Sequence, residues 1–458
     1  MIKINSKKLV EILGSVSHVI DEDIANISTD SRSIARGDLF IAVKGESFDG
    51  HNFIKEVMGK GAVLAVVERL TPDVPAVRQI LVENTLEAYG QIGAYVRSQY
   101  KGVVIGLTGS SGKTTLKEEL RFVLKKIAPV YATEKNFNNH MGVPKSLCDL
   151  TMNARYAIIE MGMSATGELS KLTSYVKPDI AIVNNVYPMH IEFFKDLKEI
   201  AEAKSEIFEG LSKKGVAVIN RDTNFAEILG DKAIRQTENV LYFGKENILE
   251  VKNLDEGCLI DAQFGDKKVS YKLSTQGEHH IYNSLCVLMV ADALGISLGT
   301  VASHLKEFAE LEGRGKKHKL KIGRGHYTLV DDSYSGQPDA IKLAVDSLGK
   351  MKTKGKKIAV IGKMGELGKF SKEKHIEIGE CLAESDVGVV IGVGEPTKDI
   401  LAQLLQDKKQ HYFESYEAVA EFLLNKVLQN NDIVLIKGSH YGSQVYKVAK
   451  SLIEEGSK

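Results

Sequence analysis

Eight consecutive residues carry the clearest chemical signal in this chain: Thr108-Gly109-Ser110-Ser111-Gly112-Lys113-Thr114-Thr115. They follow the apolar run Val103-Val104-Ile105-Gly106-Leu107 and precede a helix-patterned stretch from Leu116 to Lys126. Strand, glycine-rich turn and helix make the context a phosphate cradle needs. Glycines let backbone N–H groups approach phosphate oxygens, and the helix N-terminus adds the positive end of its dipole. In that arrangement Lys113 reaches the terminal phosphates of a nucleotide and the Thr114 hydroxyl ligates Mg²⁺. The full motif has glycine where this chain has Leu107, so the form present is the shorter G-x-x-G-K-T.

Two more polar residues follow apolar runs in the same order along the chain. Ala157-Ile158-Ile159 ends in Glu160, and Ile180-Ala181-Ile182-Val183 ends in Asn184, with His190 shortly after. Ligands of an open parallel sheet sit beyond the carboxyl ends of its strands, where the phosphate loop also lies. Glu160 and His190 are therefore expected to reach a metal at the γ-phosphate. Lys204 lies in Ala201-Glu202-Ala203-Lys204-Ser205-Glu206-Ile207-Phe208, an amphipathic helix pattern that by itself reads as a solvated lysine.

The elements that must position these groups divide the 458 residues in three. Up to about residue 95, strand-like runs (Asp38 to Val43, Ala62 to Val67) alternate with helices. From about 100 to 312 the pattern is strand Tyr156 to Glu160, helix, strand Ile180 to Asn184, helix Leu197 to Leu211 and strand Val216 to Asn220. A helix from Ile281 to Leu294 closes the block. Apolar strands separated by helices predict a doubly wound, mostly parallel α/β sheet. Past Glu312-Gly313-Arg314-Gly315 a new alternation begins, with strands at Tyr327 to Asp331, Lys357 to Ile361, Val387 to Val393 and Asp432 to Ile436. The predicted units are 1–97, 98–312 and 313–458.

Bulk composition narrows the function class. The 60 Lys+Arg balance 60 Asp+Glu, so no global field favours nucleic acid or an anionic membrane. The basic segment Lys316-Lys317-His318-Lys319-Leu320-Lys321 reads as a solvated face. Cys148, Cys258, Cys286 and Cys381 lie far apart with no CxxC, which fits unpaired thiols in a reducing compartment. Met1 to Gly14 has no apolar core of signal-peptide length, and no apolar run is long enough to span a bilayer. The expectation is a cytoplasmic monomer.

Several ordered stretches resemble the Mur ligases, the ATP-dependent amide ligases of peptidoglycan precursor synthesis. They are Thr108 to Thr115, Thr133-Glu134-Lys135-Asn136-Phe137-Asn138-Asn139-His140-Met141-Gly142-Val143-Pro144, Glu160-Met161-Gly162, His190-Ile191-Glu192 and Ala203 to Phe208. Ser28-Thr29-Asp30-Ser31-Arg32 and Gly37 to Gly45, with Phe48-Asp49-Gly50-His51, point to the subgroup that adds D-alanyl-D-alanine to UDP-N-acetylmuramoyl-tripeptide. The resemblance implies three domains. A small α/β N-terminal domain binds the UDP moiety near Ser31 and Arg32, a central domain holds ATP and Mg²⁺, and a Rossmann-like C-terminal domain closes over ATP and admits the amine. It also implies metal service by Glu160 and His190, with Lys204 carbamylated as an anionic ligand. Asn283 is implied at the adenine, Arg314 and Asp332 as further nucleotide contacts, and Asn136, Asn138 and Asn139 beside the muramoyl substrate.

The chain departs from that pattern in places. Asp332-Ser333-Tyr334-Ser335-Gly336-Gln337-Pro338 replaces the subgroup's usual Asp-Ser-Tyr-Asn-Ala-Asn-Pro, and Lys437-Gly438-Ser439-His440 replaces Lys-Gly-Ser-Arg. Lys135 stands where glycine is common, and Asn185-Val186-Tyr187-Pro188-Met189 replaces a glycine-containing turn. Two changes fall in the domain expected to bind the amine, which leaves open a related ligase with another amine. A non-catalytic nucleotide-binding paralogue is the other alternative. A guanine-nucleotide switch is excluded, since no Asn-Lys-x-Asp signature occurs.

Overall fold

The computed structural model describes residues 4–45, 48–189, 191–254, 257–275, 277–440 and 442–456. His190 lies outside the described residues. Among the described residues the strands form three main parallel or mostly parallel sheets, and each belongs to one of the three stretches of chain.

The central sheet runs 239–243, 216–220, 180–183, 103–108, 156–160, 130–132 from edge to edge, with all neighbours parallel. Because side chains alternate across a strand, each apolar run serves two cores. Ile105, Leu107, Ile158, Ile180 and Ile182 face one cluster, with Leu116 and Leu120 of the helix Lys113–Lys125 and Leu285 and Leu288 of the helix Glu278–Ala293. Val104, Ala157, Ile159, Ala181 and Val183 face the other, with residues of the helices Glu168–Val176 and Leu197–Ser205. Burial on both faces explains why these strands are apolar throughout. It also brings the carboxyl ends of Val103–Thr108, Tyr156–Glu160 and Ile180–Val183 together at one rim.

Three local expectations need correction. The helix expected from Leu197 to Leu211 is α-helical to Ser205 and tightens to a 3₁₀ turn over Glu206–Gly210. The helix Glu278–Ala293 does not close the block, since Leu298–Leu305 follows it. The block also holds a three-stranded antiparallel sheet, Ile248–Asn253, Cys258–Phe264 and Lys267–Leu273. Its middle strand buries every second side chain, a period-2 pattern that was present in the sequence and passed over. The basic segment, expected as a solvated face, is one: it forms the edge strand Lys316–Ile322, antiparallel to Gly325–Asp332. Lys317, Lys319 and Lys321 are exposed while Leu320 is buried, so the lysines keep a sheet edge solvated.

The C-terminal sheet continues 433–437, 357–362, 389–393, 409–413, all parallel after the first pair. The N-terminal sheet is parallel, in the order 27–28, 39–41, 64–67, 79–81. The helix Thr85–Gln99 follows it, capped by Asn84, whose side chain accepts from Glu87 N at 2.8 Å. It is clamped to the central block: Arg97 donates to the carbonyls of Val176 and Lys177 at 2.8 Å each. The expected boundary at 97/98 therefore falls within the last turn of this helix. Among the described residues no helix is long and apolar enough to cross a membrane.

Candidate active site

The phosphate loop leaves the Val103–Thr108 strand and enters its helix at Lys113, three residues earlier than the apolar pattern indicates. Gly112, at the N-cap, has φ +73°, a left-handed conformation in which a side chain is strained. The helix N-terminus thereby stays open, with no side chain capping it. Lys113 folds back so that its Nζ donates to the Gly109 carbonyl at 2.7 Å. Desolvation draws its pKa down, and the nearby Glu160 carboxylate opposes that effect. Arg314 and Glu366 of the C-terminal stretch also act on Lys113 electrostatically, so that stretch faces the loop.

Glu160, buried at the end of its strand, is the hub of the rim. Thr114 Oγ1 donates to its carboxylate at 3.1 Å, and Asn138 Nδ2 donates at 2.8 Å. Lys117 Nζ lies 3.5 Å away. A buried carboxylate beside a threonine hydroxyl at a helix N-terminus is an oxygen donor set of the kind Mg²⁺ prefers. The residues therefore fit both a nucleotide phosphate and a hard divalent cation.

The turn bearing Asn138 is tightly made. Lys135 sits at φ 48°, the left-handed region, which explains why glycine suits that position. Asn139 Oδ1 accepts from Met141 N and Gly142 N at 3.2 and 2.9 Å, starting the helix Gly142–Cys148. A Cβ at Gly142 would lie 2.3 Å from the Phe137 carbonyl carbon, so only glycine lets the turn close on the helix. Asn136 is exposed at the front of the turn.

Asn184 and Asn185, after the Ile180–Val183 strand, brace the loop. Asn185 Oδ1 accepts from Ser110 N at 3.0 Å and Ser111 N at 2.8 Å, and Asn185 Nδ2 donates to the Ser111 carbonyl at 2.9 Å. Asn184 Nδ2 is 3.4 Å from Asn283 Oδ1, so Asn283 is brought to the loop by its helix. Lys204 is 2 % exposed, against the solvated position its helix pattern predicts. Its 3.6-residue period places it on the inward face, and burial, with Lys113 adding to it, pushes its pKa well below the usual lysine value.

Across from the loop, the Arg314 guanidinium lies 4.2 Å above the Tyr334 ring, Tyr334 packs on His440 at 4.9 Å, and His440 stacks on Tyr446 at 4.3 Å. Asp332 is paired with the buried Lys437 at 2.8 Å. A narrow cleft separates the two sides, lined by Ser110, Ser111, Tyr187 and Met189 on one and Gln337 and Asp339 on the other. Two of the altered segments, 185–189 and 335–338, thus meet at one opening. Ser31 and Arg32 lie apart, in the turn that follows the N-terminal strand Ile27–Ser28. Arg32 holds the Asp30 carboxylate at 2.7 Å and draws its pKa down to about 2. The sequence assigns no role to Lys117, nor to Asn185 and Lys437, which it shows only as members of variant segments. Lys117 alone had a visible signal, lying one helical turn past Lys113.

Three stretches match models of one family: residues 23–97 the "Mur ligase family, catalytic domain", 107–291 the "Mur ligase middle domain", and 318–440 the "Mur ligase, glutamate ligase domain". The UDP-N-acetylmuramoyl-tripeptide–D-alanyl-D-alanine ligase of Buchnera aphidicola is 31% identical over the full length of both chains. The chain belongs to the Mur ligase family. Solved structures agree: MurF from Acinetobacter baumannii superposes with a TM-score of 0.89 at 28% identity, over 99% of each chain. The MurF ligase of Thermotoga maritima in complex with ADP gives 0.83 at 29%, over 94% of this chain and 98% of that one. The three-domain α/β architecture expected from the sequence is the fold of these Mur ligases.

Proposed function

We infer that this chain is an ATP-dependent ligase that joins D-alanyl-D-alanine to UDP-N-acetylmuramoyl-tripeptide in peptidoglycan precursor synthesis, giving ADP and phosphate. The observation that carries this reading is full-length similarity to ligases of that name, together with an open phosphate loop whose Thr114 meets a buried Glu160.

A peptide carboxylate is a poor electrophile. Its oxygen attacks the γ-phosphorus of ATP, the bond to ADP breaks, and an acyl phosphate forms. The dipeptide amine then attacks the acyl carbon, loses its proton to solvent and expels phosphate, leaving an amide. The first step brings anions together, so positive groups must face them. Lys113 exchanges the Gly109 carbonyl for phosphate oxygens, and the loop from Thr108 to Thr115, braced by Asn185, offers its N–H groups. Thr114 and Glu160, with His190 and a carbamylated Lys204, would hold Mg²⁺, which supplies charge neutralisation for the transferred phosphoryl group. The depressed pKa of Lys204 supports its part, because only a neutral amine reacts with CO₂ to form a carbamate. Asn283 and Asp332 take the nucleoside and Arg314 closes on the phosphates. Ser31 and Arg32 bind the UDP end, and Asn136, Asn138 and Asn139 line the muramoyl peptide. The work divides among residues 1–97 for UDP, 98–312 for ATP and 313–458 for the amine.

The test is phosphate release from ATP and Mg²⁺ with the nucleotide-linked tripeptide, with and without D-Ala-D-Ala. Release that requires both substrates is expected. Turnover with a different amine only reassigns the acceptor, and silence with every amine overturns the enzyme reading.

A further inference from the structure

Lys117 is a buried lysine one helical turn beyond Lys113, with 0 % of its surface exposed. Its Nζ lies 3.5 Å from Glu160 Oε2 and 3.5 Å from Glu118 Oε1, and it donates to the Lys135 carbonyl at 3.2 Å. Burying an ammonium is costly, and a leucine or methionine would fill a helix-to-sheet contact without that cost. A lysine here therefore points to a need for positive charge at this depth.

The charge it answers is that of Glu160. With Thr114 and Asn138 donating to its oxygens and Lys117 beside it, the carboxylate is solvated and balanced by the protein itself. A bare divalent cation approaching Glu160 meets that ammonium, and beside a carboxylate buried to this depth the two cations repel. The negative charge that reverses the balance arrives with the nucleotide phosphates.

We propose that Lys117 is a positioning residue whose buried ammonium keeps Glu160 paired in the resting enzyme, so that the site takes a divalent cation only together with a nucleotide. This rests on the metal role of Glu160 stated above. Through Lys135 the same ammonium ties the resting pose of Glu160 to the turn that carries Asn138.

The experiment is Mn²⁺ binding to the full-length chain by electron paramagnetic resonance, with and without ADP. The comparison covers the wild type, Lys117→Met, Lys117→Gln and Glu160→Gln, with thermal melting to confirm folding; the glutamine variant serves if the methionine variant does not fold. The wild type is expected to bind Mn²⁺ at least ten-fold more weakly without ADP than with it. Lys117→Met or Lys117→Gln should tighten nucleotide-free binding at least ten-fold and lose most of that ADP dependence. Nucleotide-free binding within two-fold of wild type in a folded Lys117 variant overturns the proposal, and a purely structural Lys117 would give that result. Unchanged Mn²⁺ binding by Glu160→Gln in the presence of ADP instead overturns the metal role of Glu160, and the proposal with it.

Discussion

The two sides of the nucleotide opening are built by different physics. On the central side, Lys113, Thr114, Lys117, Asn138 and Glu160 form one network of charges and hydrogen bonds, much of it buried. On the C-terminal side, Arg314, Tyr334, His440 and Tyr446 form a column of stacked faces, beside which the Asp332–Lys437 pair adds a buried charge. A buried network fails when one member is removed, because its partners are left desolvated and unpaired. A stack loses contact area gradually. Substitutions on the central side should therefore act steeply and those on the C-terminal side in steps.

The largest effect belongs to Lys113→Ala, which removes the cation expected at the transferred phosphoryl group. We expect kcat for phosphate release to fall about 10²–10³-fold, corresponding to ~3–4 kcal/mol of transition-state stabilisation. A loss under ten-fold would break the contrast. Lys437→Met comes next, since it frees the Asp332 carboxylate to turn. The KM for ATP should rise about ten-fold with a smaller change in kcat, in line with a charged hydrogen bond worth ~1.5–3 kcal/mol.

Glu119→Gln probes burial on the phosphate-loop helix without touching the chemistry. Glu119 is 2 % exposed, its Oε2 meets no hydrogen-bond partner among the described residues, and desolvation pushes its pKa up to about 8. The native chain then keeps a proton that the unfolded chain releases near the ordinary glutamate value, so this group makes stability fall as pH rises from about 4.5 to 8. The glutamine variant should be more stable at pH 8 by about 1–3 kcal/mol and little changed at pH 5, read from urea midpoints. Equal shifts at both pH values would show that Glu119 is not held protonated. The smallest effect is expected of His440→Ala, which shortens the stack. The KM for D-Ala-D-Ala or ATP should change less than three-fold, and a loss of ten-fold or more would place His440 within the buried kind of site.

The same contrast decides what the sequence revealed. The phosphate loop and Glu160 are legible because contiguous residues build them: a strand must be apolar, its end must be polar, and the loop needs glycine at position 112. The strands of the central sheet are legible too, because burial on both faces leaves an unbroken apolar run. Lys204 defeats pattern reading, since a lysine on an amphipathic helix looks solvated until the packing partner is known. The antiparallel sheet over 248–273 is less legible: Cys258 to Phe264 alternates, but its partners Ile248–Asn253 and Lys267–Leu273 are largely exposed and lysine-bearing. Lys437 and Asp332 are 105 residues apart in sequence, and only the parallel pairing of their strands makes them neighbours. No local pattern carries that.

The most direct test of the ligase account follows the oxygen. UDP-N-acetylmuramoyl-tripeptide labelled with ¹⁸O in its terminal carboxylate is incubated with the enzyme, ATP, Mg²⁺ and D-Ala-D-Ala, and both products are weighed by mass spectrometry. The account predicts one ¹⁸O in the released phosphate and a pentapeptide product that has lost that atom. Unlabelled phosphate, or labelled tripeptide recovered intact while ATP is consumed, would contradict activation of the carboxylate by phosphoryl transfer.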